Sequence, residues 1–200
     1  MQKIFLIRHG ETICNVEKKY CGFTESDLTK TGILQSEILA DRLKDEKIDN
    51  IYASDMKRTL KTARIIFKKN KIIKATALRE MNFGCWENKT YQELCSSKYK
   101  DLYSKWLDDP LSISIPKGES LQDLEKRIMK LFNSAILEHK DKKIAFVTHG
   151  GPIRVILCSV LGKKLSYFWK IKLDPGSLTC FEYKDGKAKN LILNEIIGEK

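Results

Sequence analysis

The sequence predicts an α/β protein, with a three-layer α/β/α arrangement around a largely parallel central sheet. One indication is that short apolar runs, typical of buried strands, alternate with longer segments of helical periodicity. Another is that two of these runs, at residues 4–7 and 144–147, each lead into a histidine followed by glycine. One such histidine could be an ordinary loop residue, but two in matched positions indicate a site. If the two strands are neighbours in one parallel sheet, His9 and His149 meet at the carboxyl edge, where ligands bind in such sheets.

A loop and a helix follow the first strand. Residues 15–29 read as loop with at most a short helix, and Cys21-Gly22-Phe23 forms its turn. Thr29 or Thr31 is the expected N-cap of the helix, because a threonine oxygen accepts hydrogen bonds from the first free N–H groups. The predicted apolar face of this helix consists of Leu34, Ile38, Leu39 and Leu43.

A second strand and helix occupy residues 51–67. The strand at 51–53 leads into Ser54 and Asp55, which are predicted to cap the helix. The predicted buried stripe of this helix consists of Met56, Leu60, Ala63 and Phe67. Another short strand is expected at 72–75.

The second half of the chain is predicted to hold three helices and three strands. Residues 78–93 are irregular, and helical spacing at 91–107 ends before Pro110. Ser120, with Asp123 as its capping-box partner, opens the longest helix, whose apolar face consists of Leu124, Ile128, Leu131 and Ala135. After the strand at 144–147, a helix is expected at about 152–161. A hairpin with strands at 178–183 and 191–196 flanks Asp185-Gly186.

Composition indicates one domain over residues 1–200, long enough for a substantial core. No internal repeat or low-complexity stretch is visible. No apolar stretch has the length of a membrane span and no secretory signal is visible, so we expect a cytoplasmic protein without a membrane partner. The six cysteines are scattered without the spacing of a metal site, which indicates reduced thiols.

The net charge of +11 raises the question of a nucleic-acid partner. The lysines are spread in pairs, such as Lys68-Lys69 and Lys142-Lys143, and no nucleic-acid-binding motif is present. A solvated basic surface is therefore the preferred interpretation, and its field would attract a small anionic ligand. The third histidine, His139, stands in a charged run and is expected to be solvated.

Four segments together carry a family resemblance. They are Arg8-His9-Gly10-Glu11-Thr12, residues 54–63 with the pattern Ser-x-Met-x-Arg-x-x-x-Thr-Ala, residues 78–87 with Leu-x-Glu-x-x-Phe-Gly-x-Trp-Glu, and His149-Gly150-Gly151. In this order and spacing they resemble the histidine phosphatase superfamily, the phosphoglycerate-mutase-like proteins. One departure is Asn88, where the family has glycine. Asparagine tolerates left-handed backbone, so the turn should survive.

The resemblance implies a site for a small phosphomonoester, with no metal and no cofactor. His9 would attack phosphorus to form a phosphohistidine, and Glu80 would protonate the leaving alcohol, with Glu87 as the competing acid. The implied catalytic residues are His9, Glu80, His149, Arg8 and Arg58. The residues expected to bind phosphate or substrate are Arg8, Asn15, Cys21, Gly22, Arg58, Glu80 and Gly150.

The residues alone leave alternatives open for several of these positions. Arg58 can donate bidentate hydrogen bonds to phosphate, but its sequence pattern is equally compatible with an exposed arginine on a helix. Asn15 could be a simple turn former, and either glutamate could be a surface carboxylate.

Within the family, the motifs are most similar to the α-ribazole phosphatases of cobalamin synthesis. That similarity implies removal of the 5′-phosphate of α-ribazole 5′-phosphate. Broad-specificity phosphatases and phosphoglycerate mutases stay as alternatives, although residues 81–84 depart from the Arg-His-Tyr-Gly of the mutases. A non-catalytic phosphate-binding protein is a further alternative. The oligomeric state is open, with a homodimer among the possibilities.

The pocket for the leaving group is predicted to come from residues 83–107. Its expected aromatic wall consists of Phe83, Trp86, Tyr91, Tyr99, Tyr103 and Trp106. Any one of these residues could instead simply pack the helical region. An aromatic wall favours a flat benzimidazole nucleoside over a small carboxylate. The lysines that could instead serve a small anionic substrate are Lys89, Lys98, Lys100 and Lys105.

Overall fold

The computed structural model describes residues 1–196 and has a six-stranded sheet at its centre. The strands are β1 (Gln2–Arg8), β2 (Asn50–Ala53), β3 (Ile72–Lys74), β4 (Lys143–Thr148), β5 (Leu178–Lys184) and β6 (Lys187–Glu195). The helices are α1 (Ile13–Val16), α2 (Lys30–Leu43), α3 (Lys57–Phe67), α4 (Tyr91–Cys95), α5 (Lys100–Asp108), α6 (Leu121–Glu138) and α7 (Gly150–Val160). Short 3-10 turns occupy Thr76–Leu78, Gly84–Trp86 and Leu165–Lys170.

The strand order is β3-β2-β4-β1-β5-β6. The first four strands in this order are parallel, and the β5–β6 hairpin adds two antiparallel strands at one edge. The strands β1 and β4 are direct neighbours, with Arg8 paired to Thr148. The two strands that precede His9 and His149 therefore end side by side, which is the condition under which the two imidazoles were expected to meet.

Two apolar cores, one on each face of the sheet, hold the layers together. Successive side chains of a strand point to opposite faces, so Ile4 and Leu6 join one core while Phe5 and Ile7 join the other. The first core also contains side chains of α6 and α7, and the second contains side chains of α2 and α3. This arrangement confirms the three-layer α/β/α prediction.

The buried face of α2 differs from the prediction. Thr29 is the N-cap and accepts a hydrogen bond from the N–H of Gly32. Leu34 is 55% exposed, and the buried residues of the helix are Gly32, Ser36, Leu39 and Leu43. A Cβ on Gly32 would lie 2.1 Å from the carbonyl oxygen of Glu11. The close approach of the helix to the loop after β1 therefore sets its orientation, at the expense of burying Leu34.

The start of α3 also differs from the prediction. Its N-cap is Met56, which offers no capping oxygen. The hydroxyl of Ser54 instead lies 3.0 Å from Nε2 of His149. Asp55 accepts two hydrogen bonds from Arg79, at 2.7 and 2.5 Å. Tertiary contacts thus engage both residues that the local pattern assigned to capping.

The predicted helix at 91–107 is interrupted. The helix α4 ends at Cys95, and α5 begins at Lys100. At the break, the hydroxyl of Ser97 donates to the carbonyl of Leu94 at 2.9 Å and accepts from the N–H of Tyr99 at 3.1 Å. Serine competes with helical backbone bonds in this way, which explains why one helix became two.

The later elements follow the sequence prediction with shifted starts. Ser120 and Asp123 form the expected capping box of α6. The helix α7 begins at Gly150 rather than near 152, so His149 is its N-cap. The strand β6 begins directly after the Asp185-Gly186 turn, where both residues have positive φ, 51° and 78°. Such a pair is typical of a two-residue hairpin turn.

The environment of His139 corrects another expectation. Its side chain is 16% exposed, and its Nε2 lies 2.8 Å from the hydroxyl of Tyr52. The histidine at the end of α6 therefore packs against the edge of the core instead of standing in solvent.

All six cysteines lie in the described part of the chain and are free thiols. Within residues 1–196, no helix is both long and apolar enough to cross a membrane. The predicted single domain extends to residue 200, and its last four residues lie outside the described part.

Candidate active site

His9 follows β1, and its imidazole is held in one tautomer. Nδ1 lies 2.8 Å from the carbonyl oxygen of Gly10, and because a carbonyl only accepts, Nδ1 carries the proton. The neutral ring therefore keeps the lone pair of Nε2. Burial, with Arg58 and Arg8 nearby, lowers the pKa of His9 well below its ordinary value. A neutral imidazole with a free lone pair is the form in which histidine acts as a nucleophile.

His149 is fully buried behind His9. Its Nδ1 lies 3.3 Å from Nε of Arg58, and since a guanidinium only donates, the proton of the neutral ring is on Nε2, facing Ser54. Burial is the main cause that lowers the pKa of His149 well below its ordinary value, and the positive charge of Arg58 lowers it further. A cavity lies beside these residues, at the carboxyl ends of β1 and β4. His149 contacts Arg58 and so belongs to the site, but it is not among the residues that line this cavity.

Arg8 and Arg58 supply two fixed positive charges. Nη1 of Arg8 donates to the carbonyl of Leu173 at 2.6 Å, while its buried Nε has no hydrogen-bond partner among residues 1–196. Arg58 is 2% exposed, and its two Nη atoms donate to the carbonyls of Thr24 and Gly22 at 2.8 and 2.7 Å. A buried donor without an acceptor is costly, so the site is suited to an anion that accepts from Arg8.

Glu80 reaches the N-terminus of α7. Its two carboxylate oxygens accept from the N–H of Gly151 at 3.1 and 3.0 Å, and Oε1 accepts from the N–H of Met81 at 2.8 Å. A Cβ at position 151 would lie 2.1 Å from Oε1 of Glu80, so glycine is required for this contact. Burial lowers the pKa of Arg8 and of Arg154, and the negative charge of Glu80 opposes both shifts.

Glu87, the competing candidate for the acid, is engaged in structure. Its carboxylate accepts from the backbone N–H groups of Gly22, Phe23, Thr24 and Phe83 at 2.9–3.2 Å. It lies outside the lining of the cavity. Glu87 therefore holds the turn at 21–24, whose carbonyls in turn hold Arg58.

The loop after β1 contributes two of its three predicted binding residues to the cavity. Asn15 and Cys21 line it, and Gly22 does not. Oδ1 of Asn15 accepts from the N–H of Thr12 at 3.0 Å, so this residue also completes the capping box of α1. Burial raises the pKa of Cys21 to about 12. A Cβ at position 22 would lie 1.9 Å from the carbonyl oxygen of Met81, which explains the need for glycine there.

Gly150 lies against two arginines. A Cβ there would be 3.2 Å from Nη1 of Arg154 and 3.7 Å from Nε of Arg8. Gly150 was predicted to bind phosphate or substrate, but it does not line the cavity, whereas Gly151 does. Gly150 thus leaves room for the guanidinium groups, and Gly151 presents the N–H that Glu80 uses.

A cavity of about 200 Å³ lies at the carboxyl ends of β1 and β4. The predicted catalytic and phosphate-binding residues that line it are Arg8, His9, Asn15, Cys21, Arg58 and Glu80. The lining residues that the sequence analysis missed are Thr12, Lys19, Tyr20, Met81, Gly151, Arg154, Phe168 and Trp169. Arg154 had a usable signal, because residues four apart share a helix face and Gly150 precedes it by four positions. For Phe168 and Trp169, we find no local signal.

The aromatic wall of the cavity differs from the prediction. Of the six aromatic residues expected there, Phe83 alone lines it. Trp86, Tyr103 and Trp106 are buried in the core, where the Trp86 ring lies 5.3 Å from the ring centroids of both others. Tyr91 is 54% exposed. The three buried rings belong to the core between the α4–α5 region and the sheet. Large apolar side chains contribute most to stability when they are fully buried.

The rings that line the cavity besides Phe83 are Tyr20, Phe168 and Trp169. The guanidinium of Arg154 lies over Phe168 and Trp169, at 5.5 and 5.9 Å from the ring centroids. The four lysines proposed as alternative cations lie outside the lining, which has Lys19 and Arg154 instead. Besides the predicted catalytic residues, the lining therefore offers both aromatic faces and positive charge.

In the part of the chain that the structure describes, no group of three or more His, Cys, Asp or Glu residues is placed to hold a metal ion.

Fold and site together define an α/β enzyme of phosphate esters. A neutral histidine, two fixed arginines and a carboxylate meet at the carboxyl ends of parallel strands, which is the set that phosphoryl transfer requires. The chain belongs to the histidine phosphatase superfamily (branch 1), whose family model matches residues 4–196. It is thus a phosphatase of that superfamily, and the family and fold predictions are confirmed.

Individual relatives differ in substrate. The α-ribazole phosphatase from Shigella flexneri has a solved structure that matches with a TM-score of 0.89, at 28% identity over 99% of this chain and 99% of that chain. Phosphoserine phosphatase 1 from Hydrogenobacter thermophilus is 31% identical over 97% of this chain and 92% of its own length. A probable phosphoglycerate mutase from Yersinia pestis is 29% identical over 92% of this chain and 86% of its own.

Proposed function

We propose that the protein is a metal-independent phosphomonoesterase with His9 as its nucleophile. The observation that carries this proposal is the 2.8 Å contact from His9 Nδ1 to the carbonyl of Gly10, which leaves the Nε2 lone pair free. Glu80 enters the first step protonated. Nε2 attacks phosphorus, the bond from phosphorus to the ester oxygen breaks, and Glu80 transfers its proton to that oxygen. Water then attacks the phosphohistidine, the bond from phosphorus to Nε2 breaks, Glu80 takes a proton from the water and is protonated again, and phosphate leaves.

The charge on the transferring phosphoryl group is stabilised by Arg8 and Arg58. The Nε of Arg8, which has no hydrogen-bond partner among residues 1–196, is one donor available to it. Arg58 is oriented by the turn at 21–24 and by His149, so His149 acts on the phosphoryl group through Arg58. Preorganised donors of this kind supply the largest part of catalysis in many enzymes.

For the substrate we propose α-ribazole 5′-phosphate, which would place the enzyme in cobalamin biosynthesis. Support comes from the similarity to the Shigella flexneri enzyme and from the rings of Tyr20, Phe83, Phe168 and Trp169 around the cavity. A planar benzimidazole can stack on such rings. A cytoplasmic location, without a nucleic-acid or membrane partner, stays a prediction from the sequence, as does a homodimer.

A second candidate substrate is phosphoserine, and one feature of the cavity favours it. Arg154 and Lys19 line the cavity, and a guanidinium binds a carboxylate through charged hydrogen bonds. The similarity to the Hydrogenobacter thermophilus phosphoserine phosphatase points the same way.

A substrate panel in EDTA tests both proposals. We expect turnover of p-nitrophenyl phosphate in EDTA, and a higher kcat/KM for α-ribazole 5′-phosphate than for phosphoserine or 3-phosphoglycerate at equal ionic strength. No turnover of any ester would refute the phosphomonoesterase. A higher kcat/KM for phosphoserine than for α-ribazole 5′-phosphate would make phosphoserine the proposed substrate. Isomerisation of 3-phosphoglycerate faster than its hydrolysis would indicate a mutase.

A further inference from the structure

The side chain of Arg127, on α6, donates hydrogen bonds to the segment that carries Glu80. Its Nη1 donates to the carbonyls of Ala77 and Arg79, both at 2.7 Å, and its Nη2 donates to the carbonyl of Glu80 at 2.8 Å. Nε and Nη2 also donate to the two carboxylate oxygens of Glu119, at 2.7 and 2.8 Å. A guanidinium has five N–H donors, and these five contacts account for them all.

Glu119 extends the same contact past Glu80. Its Oε2 accepts from the N–H of Asn82 at 2.9 Å, and its own backbone N–H donates to the carbonyl of Asn82 at 2.9 Å. The Arg127–Glu119 pair therefore holds the backbone on both sides of Glu80 against the start of α6. The two side chains are only 21% and 18% exposed, so solvent does not readily replace these bonds.

The segment depends on such contacts because it lies outside regular structure. Residues 79–83 run between the 3-10 turns Thr76–Leu78 and Gly84–Trp86. Upstream, the hydroxyl of Thr148 anchors the carbonyl of Leu78 at 2.6 Å. The bonds from Gly151 and Met81 orient the carboxylate of Glu80, while the position of its backbone is set by the Arg127–Glu119 pair.

We propose that the Arg127–Glu119 pair positions Glu80 for proton transfer to the leaving oxygen. Both residues lie outside the lining of the cavity, so they act through Glu80 and are positioning residues. The inference rests on the proposed function, in which Glu80 is the acid. A displacement of about 1 Å at a catalytic group can cost on the order of 10²-fold in rate.

The test compares two leaving groups in Arg127→Lys, Arg127→Met and the wild-type protein. A nitrophenolate leaves with little help, whereas the alkoxide of benzyl phosphate needs a proton. We expect both variants to lose on the order of 10²-fold in kcat/KM on benzyl phosphate and only several-fold on p-nitrophenyl phosphate, because kcat/KM reports the step in which the leaving group departs. Competitive inhibition by inorganic phosphate should be unchanged, because Arg8 and Arg58 are intact.

The lysine variant separates geometry from charge. Lysine keeps the positive charge but lacks the fork of five donors. Similar losses in Arg127→Lys and Arg127→Met are expected if geometry matters. Recovery of wild-type kinetics on benzyl phosphate in Arg127→Lys would overturn the positioning role and assign the effect to charge.

Two further variants complete the design. Arg42→Lys is the matched control, because Arg42 donates to Glu195 at 3.2 Å between α2 and β6, and its kinetics should equal those of the wild type. Glu119→Gln serves if the Arg127 variants do not fold, and a smaller loss with the same leaving-group selectivity is expected. Equal losses on both esters would refute the inference, whereas an inactive wild-type protein would refute the proposed function instead.

Discussion

The rings of His9 and His149 meet edge to face with their centroids 5.1 Å apart. The contact follows from the parallel pairing of β1 with β4, which sets Arg8 opposite Thr148 and so ends both strands at the same level. Burial and the nearby arginines lower the pKa of both rings well below the ordinary value. Both imidazoles are therefore neutral at neutral pH, and Arg8 and Arg58 carry the positive charge beside them.

The first prediction concerns the nucleophile. His9→Ala should lose several orders of magnitude in kcat on p-nitrophenyl phosphate, because His9 acts in both half-reactions. Thermal unfolding monitored by circular dichroism should show that the variant is folded. A folded His9→Ala protein with turnover near the wild-type level would eliminate the phosphohistidine mechanism.

The second prediction separates the two glutamates. Glu80→Gln should lose about 10²-fold or more in kcat/KM on benzyl phosphate and much less on p-nitrophenyl phosphate, since it removes the general acid of the step that kcat/KM reports. Glu87→Gln should lose stability instead, by about 1–3 kcal/mol in urea unfolding, because backbone N–H groups lose their charged acceptor. If the leaving-group selectivity appears in Glu87→Gln alone, the acid has been assigned to the wrong residue.

The third prediction follows from the lowered pKa values of His9 and His149. Below the ordinary histidine pKa of about 6.5, the unfolded chain binds protons on these rings while the folded protein does not, so the free energy of unfolding rises with pH there. Stability should therefore fall as pH drops below about 6.5 and continue to fall towards the lowered folded-state pKa values.

Urea unfolding at a series of pH values checks this prediction. His9→Asn should flatten the slope relative to the wild type, since one of the two rings is removed. Tyr167→Phe is the control, because this exposed residue lies outside the lining of the cavity and its substitution removes no imidazole. An unchanged slope in His9→Asn would show that His9 is not a source of the dependence.

The fourth prediction concerns the wall of the cavity. Trp169→Ala should raise KM for α-ribazole 5′-phosphate about two- to tenfold, because it removes a stacking face, with less effect on phosphoserine. Arg154→Met should raise KM for phosphoserine about tenfold or more, because a charged hydrogen bond to the carboxylate is lost.

Steady-state kinetics on both esters measure these effects. Tyr167→Ala is a matched control, since Tyr167 is an exposed neighbour that lies outside the lining. Equal effects of Trp169→Ala on the two esters would argue against stacking as the basis of substrate choice.

Several parts of the site could be predicted because their signals are local. His9 and Arg8 end an apolar run, and in the fold around them Ser120 with Asp123 forms a capping box within four residues. Glu80 was assigned only through the motif that carries the family resemblance. Such patterns depend on neighbours along the chain, which the sequence displays directly. The same local reading failed at Ser54, because the hydroxyl of this residue had a distant alternative in His149.

Whereas the pairing of the two histidine strands came from the tertiary structure, the sequence by itself determined the alternation of strands and helices and the polar groups at the ends of those two strands. These properties depend on periodicity, strand ends and glycine, each of which acts over a few residues. Only the tertiary structure decided which aromatic residues face the substrate and that Glu87 is structural. Two tryptophans are chemically equivalent, and their contacts with distant elements decide which of them is buried. Trp106 is therefore buried in the core, whereas Trp169 lines the cavity.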